Sequence, residues 1–582
     1  MVWSVIGGRL VQLQWLDSER FAVRANSQRT FTEAVPARPG DIIDRHGRLL
    51  ATTVTSRSLF VDPSRIEPGE DEQLVRQVAE AAGADADRLL QQIAASRDRR
   101  FLWVRRRLSP EQTAAVQALK LPRPAWGFRE EYLRRYPQGR LAAQMLGFRD
   151  IDGVGRGGIE QHEDRLLRGR DGQRVLIRDA RGRVIEVQTD AVRAPHHGEA
   201  VILTVDGVLQ LFAERALDSL QEEWEPKSSC AIVLDPHSCE ILAAASRPTL
   251  DPNNPGEAPD GAWLNRMVSI LFEPGSTIKP LFVAAALDRG VLQRDDVLNC
   301  ENGAWRMGRR ILHDHHPMGQ LSVTDVVVKS SNIGMAKIGV RLTNEGLYRT
   351  LSDLGFGRRT GLPLPGELTG TVRPLAEWTL YSTGSVPMGH EFSVTPLQLI
   401  TAHAALAAGG RLLRPRLTRS EIELRRPGSP ESLQDLPQEE DDGLAADNGA
   451  QVLAAIAAPV VSRQIRAETA SWLVEEVMTE VVNRGTGRRA KLRDYTSFGK
   501  TGTSQKTDPE TGRYTSEKLV TSYICGAPAK NPRLLVLVVA DEPAANGPRG
   551  GGTVAAPTAA RLLHRCLVHL RVPPDRVTAD RR

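Results

Sequence analysis

Phe272-Glu273-Pro274-Gly275-Ser276-Thr277-Ile278-Lys279-Pro280 is the stretch on which the reading of this 582-residue chain turns. The Pro274-Gly275 turn delivers a serine to the start of a helix-like apolar run, Leu281 to Leu287, closed by Gly290. Lys279 follows Ser276 by one turn, which puts both side chains on one helix face. An amine there can take the serine proton or hold it. The free N–H groups and positive dipole end of a helix start also suit a developing oxyanion. Two more short motifs follow in order, Ser330-Ser331-Asn332 and Lys500-Thr501-Gly502-Thr503. Each is weak alone; together they describe a serine acyl transferase with two lysines at its site.

The lysines carry information because they are scarce. Only ten of the 76 basic residues are lysine, at 120, 227, 279, 329, 337, 491, 500, 506, 518 and 530. Where positive charge suffices, this chain uses Arg, which keeps its proton in any protein environment. Lys279 and Lys500 therefore mark positions that call for an amine or a compact ammonium.

Length predicts two or three domains, and 41% hydrophobic with 25% charged residues is ordinary for a folded globular chain. The net charge of +5 is mild and no basic block is interleaved with aromatics, so nucleic acid is not the expected partner. The five cysteines, 230, 239, 300, 525 and 566, are odd in number and have no C-x-x-C spacing, which does not support a disulfide framework or zinc ribbon; Cys230 and Cys239, offset across a hairpin, are expected to be reduced. His313-Asp314-His315-His316 resembles a metal cluster but reads as a solvated loop with Asp314 in a structural role. Val2 to Leu16 is apolar-leaning but is interrupted by Gly7, Gly8 and Arg9, and a spanning helix needs about 20 apolar residues.

Residues 26–195 read as one module of mixed structure. Asp71 to Ala82 places Leu74, Val75, Val78 and Ala82 on one helical face before Gly83 ends it. Ser109-Pro110-Glu111-Gln112 has the spacing of a capping box. His196 to Gly198 reads as a linker, and strand signals resume in Val201 to Val205. In residues 200–582, Ala231 to Leu234 and Ile241 to Ala244 predict a hairpin. Val520 to Gly526 and Leu534 to Val539 predict two further strands. Lys500 to Thr503 precedes them and is expected on a sheet strand facing the Ser276 helix, with Gly502 admitting a substrate backbone. Residues 425–448 are rich in Pro, Ser, Asp, Glu and Gln and read as a disordered insertion.

With these motifs in place, the chain resembles the class B penicillin-binding proteins, monofunctional peptidoglycan transpeptidases, from about Val35 to Arg565. The further marks are Arg38 to Gly47, Arg135-Tyr136-Pro137-Gln138-Gly139, Gly158-Ile159-Glu160, Leu167 to Gly172, Thr395 to Leu399 and Gly551 to Pro557. The resemblance implies an α/β (α+β) multidomain fold. An elongated pedestal over 26–195 would carry a transpeptidase domain over 200–582, with an antiparallel sheet covered by helices. It also implies that residues 1–25 are the remnant of a single-pass anchor, with the catalytic domain outside the inner membrane; an amphipathic lead-in is the other reading. Phe272 to Ser276, Lys329 to Asn332 and the Gly551-Gly552 run look more like division-type members than elongation- or sporulation-type ones.

In this family Ser276 would attack the penultimate D-Ala carbonyl of a D-Ala-D-Ala stem peptide, with Lys279 as base and Ser330 as proton relay. Asn332 would hold the substrate amide, Lys500 would supply positive field, and Thr501, Gly502 and Thr503 would bind substrate. The N–H groups of Ser276 and Thr503 would form the oxyanion hole. Neither metal nor organic cofactor is called for. β-Lactams would acylate the same serine, and a glycosyltransferase and divisome proteins are the expected partners. A D,D-carboxypeptidase or serine β-lactamase shares the motifs. The latter needs a positioned Glu and water, and Glu367-Leu368-Thr369-Gly370 does not fit that pattern.

Overall fold

The computed structural model describes residues 2–12, 15, 30–67, 69, 71–122, 124–178, 184–419, 462–508, 514–544 and 547–576. The stretch read as an insertion, 425–448, lies outside them. Five strands build the sheet of the C-terminal part, in the order Ile241–Arg247, Ser228–Leu234, Leu534–Asp541, Tyr514–Ala527, Phe498–Thr507. All neighbours are antiparallel. The central runs are apolar at every position because both faces are covered, which removes the usual alternation. Ala231, Val233, Val536 and Val538 pack with the helices Gly207–Trp224 and Ala555–His569. Cys230, Ile232, Leu535 and Leu537 join the larger core, which includes the helices Lys279–Asp288 and Pro396–Ala407. All five cysteines are free thiols and buried, Cys230 and Cys239 among them.

In the N-terminal part the long strand Leu49–Val61 pairs with Ile42–Ile43, Leu102–Leu108 and Trp126–Arg135. The helix Glu72–Ala82 buries Val75, Val78 and Ala82, and Gly83 closes it with φ 66°. The helix Pro110–Ala118 starts on the expected capping box, with the Ser109 hydroxyl accepting from the Gln112 N–H. The expected linker is tied down: Arg170 and His196 exchange backbone hydrogen bonds, and the Gly198 N–H donates to the Arg38 carbonyl at 2.9 Å. Val201–Leu203 then pairs in parallel with Ile42–Ile43 and antiparallel with Thr418–Arg419. One sheet thus joins strands of the N-terminal part to a strand of the C-terminal part. A linear reading misses this because the partners are more than 150 residues apart.

The motifs near this junction have structural reasons. Glu160 is fully buried and accepts from Arg134 Nε at 2.6 Å, Arg149 Nε at 2.7 Å and the Tyr136 hydroxyl at 3.1 Å. Arg134 reaches on to the Gly40 carbonyl at 2.6 Å, so the carboxylate fixes four segments at once. A Cβ on Gly40 would lie 1.9 Å from the Glu199 carbonyl oxygen, so only glycine lets these two strands of chain touch.

The single-pass anchor is corrected by the structure. The helix Val2–Val11 has ten residues, and no helix among the described residues is long and apolar enough to cross a membrane.

Candidate active site

The edge strand Phe498–Thr507 carries Lys500 to Thr503, and the 3₁₀ turn Gly275–Ile278 packs on it. The α-helix proper begins at Lys279, so Ser276 stands in the turn ahead of it. Pro280 explains the offset, since a proline is tolerated only in the first helical turn. The turn is braced from inside. The Thr277 hydroxyl donates to the Pro274 carbonyl at 2.6 Å, and His403 Nε2–H donates to the Thr277 carbonyl at 3.0 Å. His403 is held neutral, because burial pulls its pKa down to about 4.

Gly502 meets this turn. A Cβ there would lie 2.8 Å from Thr277 Cγ2 and 2.9 Å from the Pro274 carbonyl oxygen, so its missing side chain makes room for the nucleophile turn. Gly275 has φ 54° and sits beside Thr503: its Cβ would be 3.0 Å from the Thr503 carbonyl oxygen and 3.5 Å from its nitrogen. The two backbone segments expected to supply oxyanion N–H groups are therefore adjacent.

Lys279 is fully buried. Its Nζ donates toward the Ser330 carbonyl at 2.8 Å, the Asn332 Oδ1 at 2.9 Å, the Ser330 hydroxyl at 3.2 Å and the Ser331 carbonyl at 3.3 Å. It is engaged with the second motif rather than with Ser276, to which it makes no hydrogen bond among the described residues. Burial pulls its pKa down to about 7, opposed by the charge of Asp314. Lys500, equally buried, donates to the Ser330 hydroxyl at 3.0 Å and the Thr501 carbonyl at 3.2 Å. Burial, then the charge of Lys279, lowers its pKa. A low-dielectric pocket disfavours two ammonium ions side by side, which supplies a neutral amine near physiological pH.

The second motif sits on a strained corner. Ser330 has φ 61°, a left-handed conformation that a non-glycine residue adopts at about 1 kcal/mol or more. Ser331 caps the helix Asn332–Asp353 by accepting from the Gly334 N–H at 2.9 Å. The Thr501 and Thr486 hydroxyls lie 2.8 Å apart, and the Thr503 hydroxyl accepts from the Gly551 N–H at 3.0 Å. The Gly551-Gly552 run thus closes over the third motif: a Cβ on Gly551 would lie 2.3 Å from the Gly502 carbonyl oxygen.

The eight residues singled out from the sequence lie on three segments that touch: the turn at Ser276, the corner at Ser330 and the strand at Lys500. Sequence reasoning missed Thr486 and His403, which belong to no local motif and reach these segments only through packing. It also left Asp314 as a structural loop residue, and it missed the network behind the turn. There Glu273 accepts from the Tyr514 hydroxyl at 2.8 Å and the Glu391 N–H at 3.0 Å, and pairs with His390 at 2.7 Å. No cluster of His, Cys, Asp and Glu able to hold a metal occurs among the described residues.

Residues 229–564 match the family described as penicillin binding protein transpeptidase domain, and residues 34–203 the penicillin-binding protein dimerisation domain. The chain is 32% identical to the probable peptidoglycan D,D-transpeptidase PenA of Neisseria gonorrhoeae, over 94% of this chain and 87% of that protein. It is 30% identical to the peptidoglycan D,D-transpeptidase FtsI of Escherichia coli K12, over 98% of this chain and 90% of that one. Among solved structures, penicillin binding protein 3 of Mycobacterium tuberculosis complexed with aztreonam superposes with a TM-score of 0.68 at 26% identity. That match covers 94% of this chain and 98% of that one. A dimerisation domain joined to a transpeptidase domain, with both lysines on one serine hydroxyl, places the chain in the penicillin-binding protein transpeptidase family, class B.

Proposed function

We propose that this protein is a division-type peptidoglycan D,D-transpeptidase that works through an acyl-enzyme on Ser276. The observation that carries this reading is the Ser330 hydroxyl held between two buried amines, 3.2 Å from Lys279 and 3.0 Å from Lys500. The Ser276 hydroxyl attacks the penultimate D-Ala carbonyl of a stem peptide while neutral Lys279 takes its proton. The bond to the terminal D-Ala nitrogen breaks, and that nitrogen receives a proton through Ser330. An ester on Ser276 results. The amine of a second stem peptide attacks the ester, gives up a proton and returns the serine. Asn332 holds the substrate amide, Thr501 and Thr503 its carboxylate beside the Lys500 field, and the Ser276 and Thr503 N–H groups the oxyanion. β-Lactams acylate the same oxygen.

The division role is supported by similarity to FtsI across 98% of the chain and by the division-like forms of the three motifs. On this reading a glycosyltransferase and other divisome proteins are its partners. The two modules over 26–195 and 200–582 are its pedestal and catalytic unit. Labelling with a fluorescent penicillin, followed by peptide mapping, tests the assignment. The label is expected on Ser276, and Ser276→Ala is expected to lose it with its melting temperature unchanged. Label retained by the alanine variant overturns the reading.

A further inference from the structure

The loop before the second motif holds that motif in place, and this goes beyond the roles assigned above. One Asp314 carboxylate oxygen accepts from the N–H groups of Asn332 and of Ile333, the latter at 3.1 Å. Its other oxygen accepts from the Ser331 hydroxyl at 2.7 Å. The neighbouring His313 carbonyl accepts from Asn332 Nδ2 at 3.1 Å, which leaves Asn332 Oδ1 turned to Lys279 at 2.9 Å. The chain enters this corner through Ser330, whose φ of 61° is one that a non-glycine residue keeps only when its surroundings enforce it. Asp314 supplies the enforcement: three hydrogen bonds from consecutive residues converge on one half-buried carboxylate.

We propose that Asp314 is a positioning residue for acyl transfer, pinning the Ser331–Ile333 corner so that the Ser330 hydroxyl and the Asn332 amide meet Lys279. The proposal rests on Lys279 being the base. Asp314 also acts on that amine by charge, favouring its ammonium form. The other titratable groups around Lys279 are Lys500, His315, which burial and then the charges of Lys279 and His316 push down, and His403 beneath the turn. Cys300, next to Ser331, is pushed up by burial.

The test is the pH profile of the acylation rate with a fluorescent penicillin, for the whole chain and two variants. Asp314→Asn retains an oxygen for the two amide N–H groups but removes the charge. Its acidic limb is expected to move down by about one pH unit, with a plateau within about tenfold of the unsubstituted chain. Asp314→Ala removes the hydrogen bonds as well, and its plateau is expected to fall about 100-fold. A folded Asp314→Ala chain whose plateau stays within about threefold of the unsubstituted chain, about 0.6 kcal/mol, overturns the proposal. If instead the unsubstituted chain has no acidic limb near neutrality, the role of Lys279 as base has failed, which is a separate result.

Discussion

Lys500 Nζ lies 3.0 Å from the Ser330 hydroxyl oxygen, although Lys500 comes from a sheet edge and Ser330 from a strained corner 170 residues earlier. The same oxygen faces Lys279 at 3.2 Å. Two buried amines that share one hydroxyl oxygen disfavour carrying full charge together, and this sets the chemistry expected of each.

Lys279→Arg keeps the charge and removes the capacity to deprotonate. Acylation by a fluorescent penicillin is expected to fall by about 10²–10⁴-fold. A rate within about threefold of the unsubstituted chain, about 0.6 kcal/mol, shows a purely electrostatic role instead.

The pH dependence follows from the same lysine. With its pKa pulled down to about 7, Lys279 is protonated below that pH. The acylation rate is expected to drop about tenfold per unit below it and to level off above. Stability has the matching sign. The unfolded chain binds more protons at both lysines than the folded one, so the Lys279 contribution rises with pH from about 7 toward the ordinary lysine value, and that of Lys500 has the same sign. Stopped-flow labelling and thermal denaturation across about pH 5–10, a range that brackets the Lys279 value of about 7, check the two halves.

Gly502→Ala places a methyl group 2.9 Å from the Pro274 carbonyl oxygen and 2.4 Å from the Ser522 hydroxyl. The first neighbour is backbone, so the nucleophile turn must shift. The expected result is a loss of about 1–3 kcal/mol in stability and about 100-fold in acylation rate. Unchanged acylation shows that the turn tolerates displacement.

Glu160→Gln leaves Arg134 and Arg149 buried without their shared carboxylate. The variant is expected to lose about 3–5 kcal/mol, read by denaturant unfolding. Its folded fraction is expected to acylate at the rate of the unsubstituted chain, because Glu160 touches none of the acyl-transfer residues. A loss under about 1 kcal/mol shows the pair to be replaceable by neutral hydrogen bonds.

The sequence by itself determined the three motifs, the helix start that carries Lys279, the strand that carries Lys500 and the family. These depend on local order: a turn before a helix, a capping box at Ser109, and apolar runs at 231–234 and 534–539 long enough to be buried strands. What only tertiary structure decided is which groups touch. On local spacing Lys279 pairs with Ser276, but in the fold its amine turns to Ser330, Ser331 and Asn332, because burial demands that each of its protons find an oxygen. His196 to Gly198 read as a linker, yet its backbone is bonded to Arg170 and Arg38. Gly502 read as room for substrate and makes room for the turn beneath Ser276. Thr486 carried no local signal and Asp314 read only as a structural loop residue, since hydrogen bonds between segments brought together by packing leave no period or spacing in the chain.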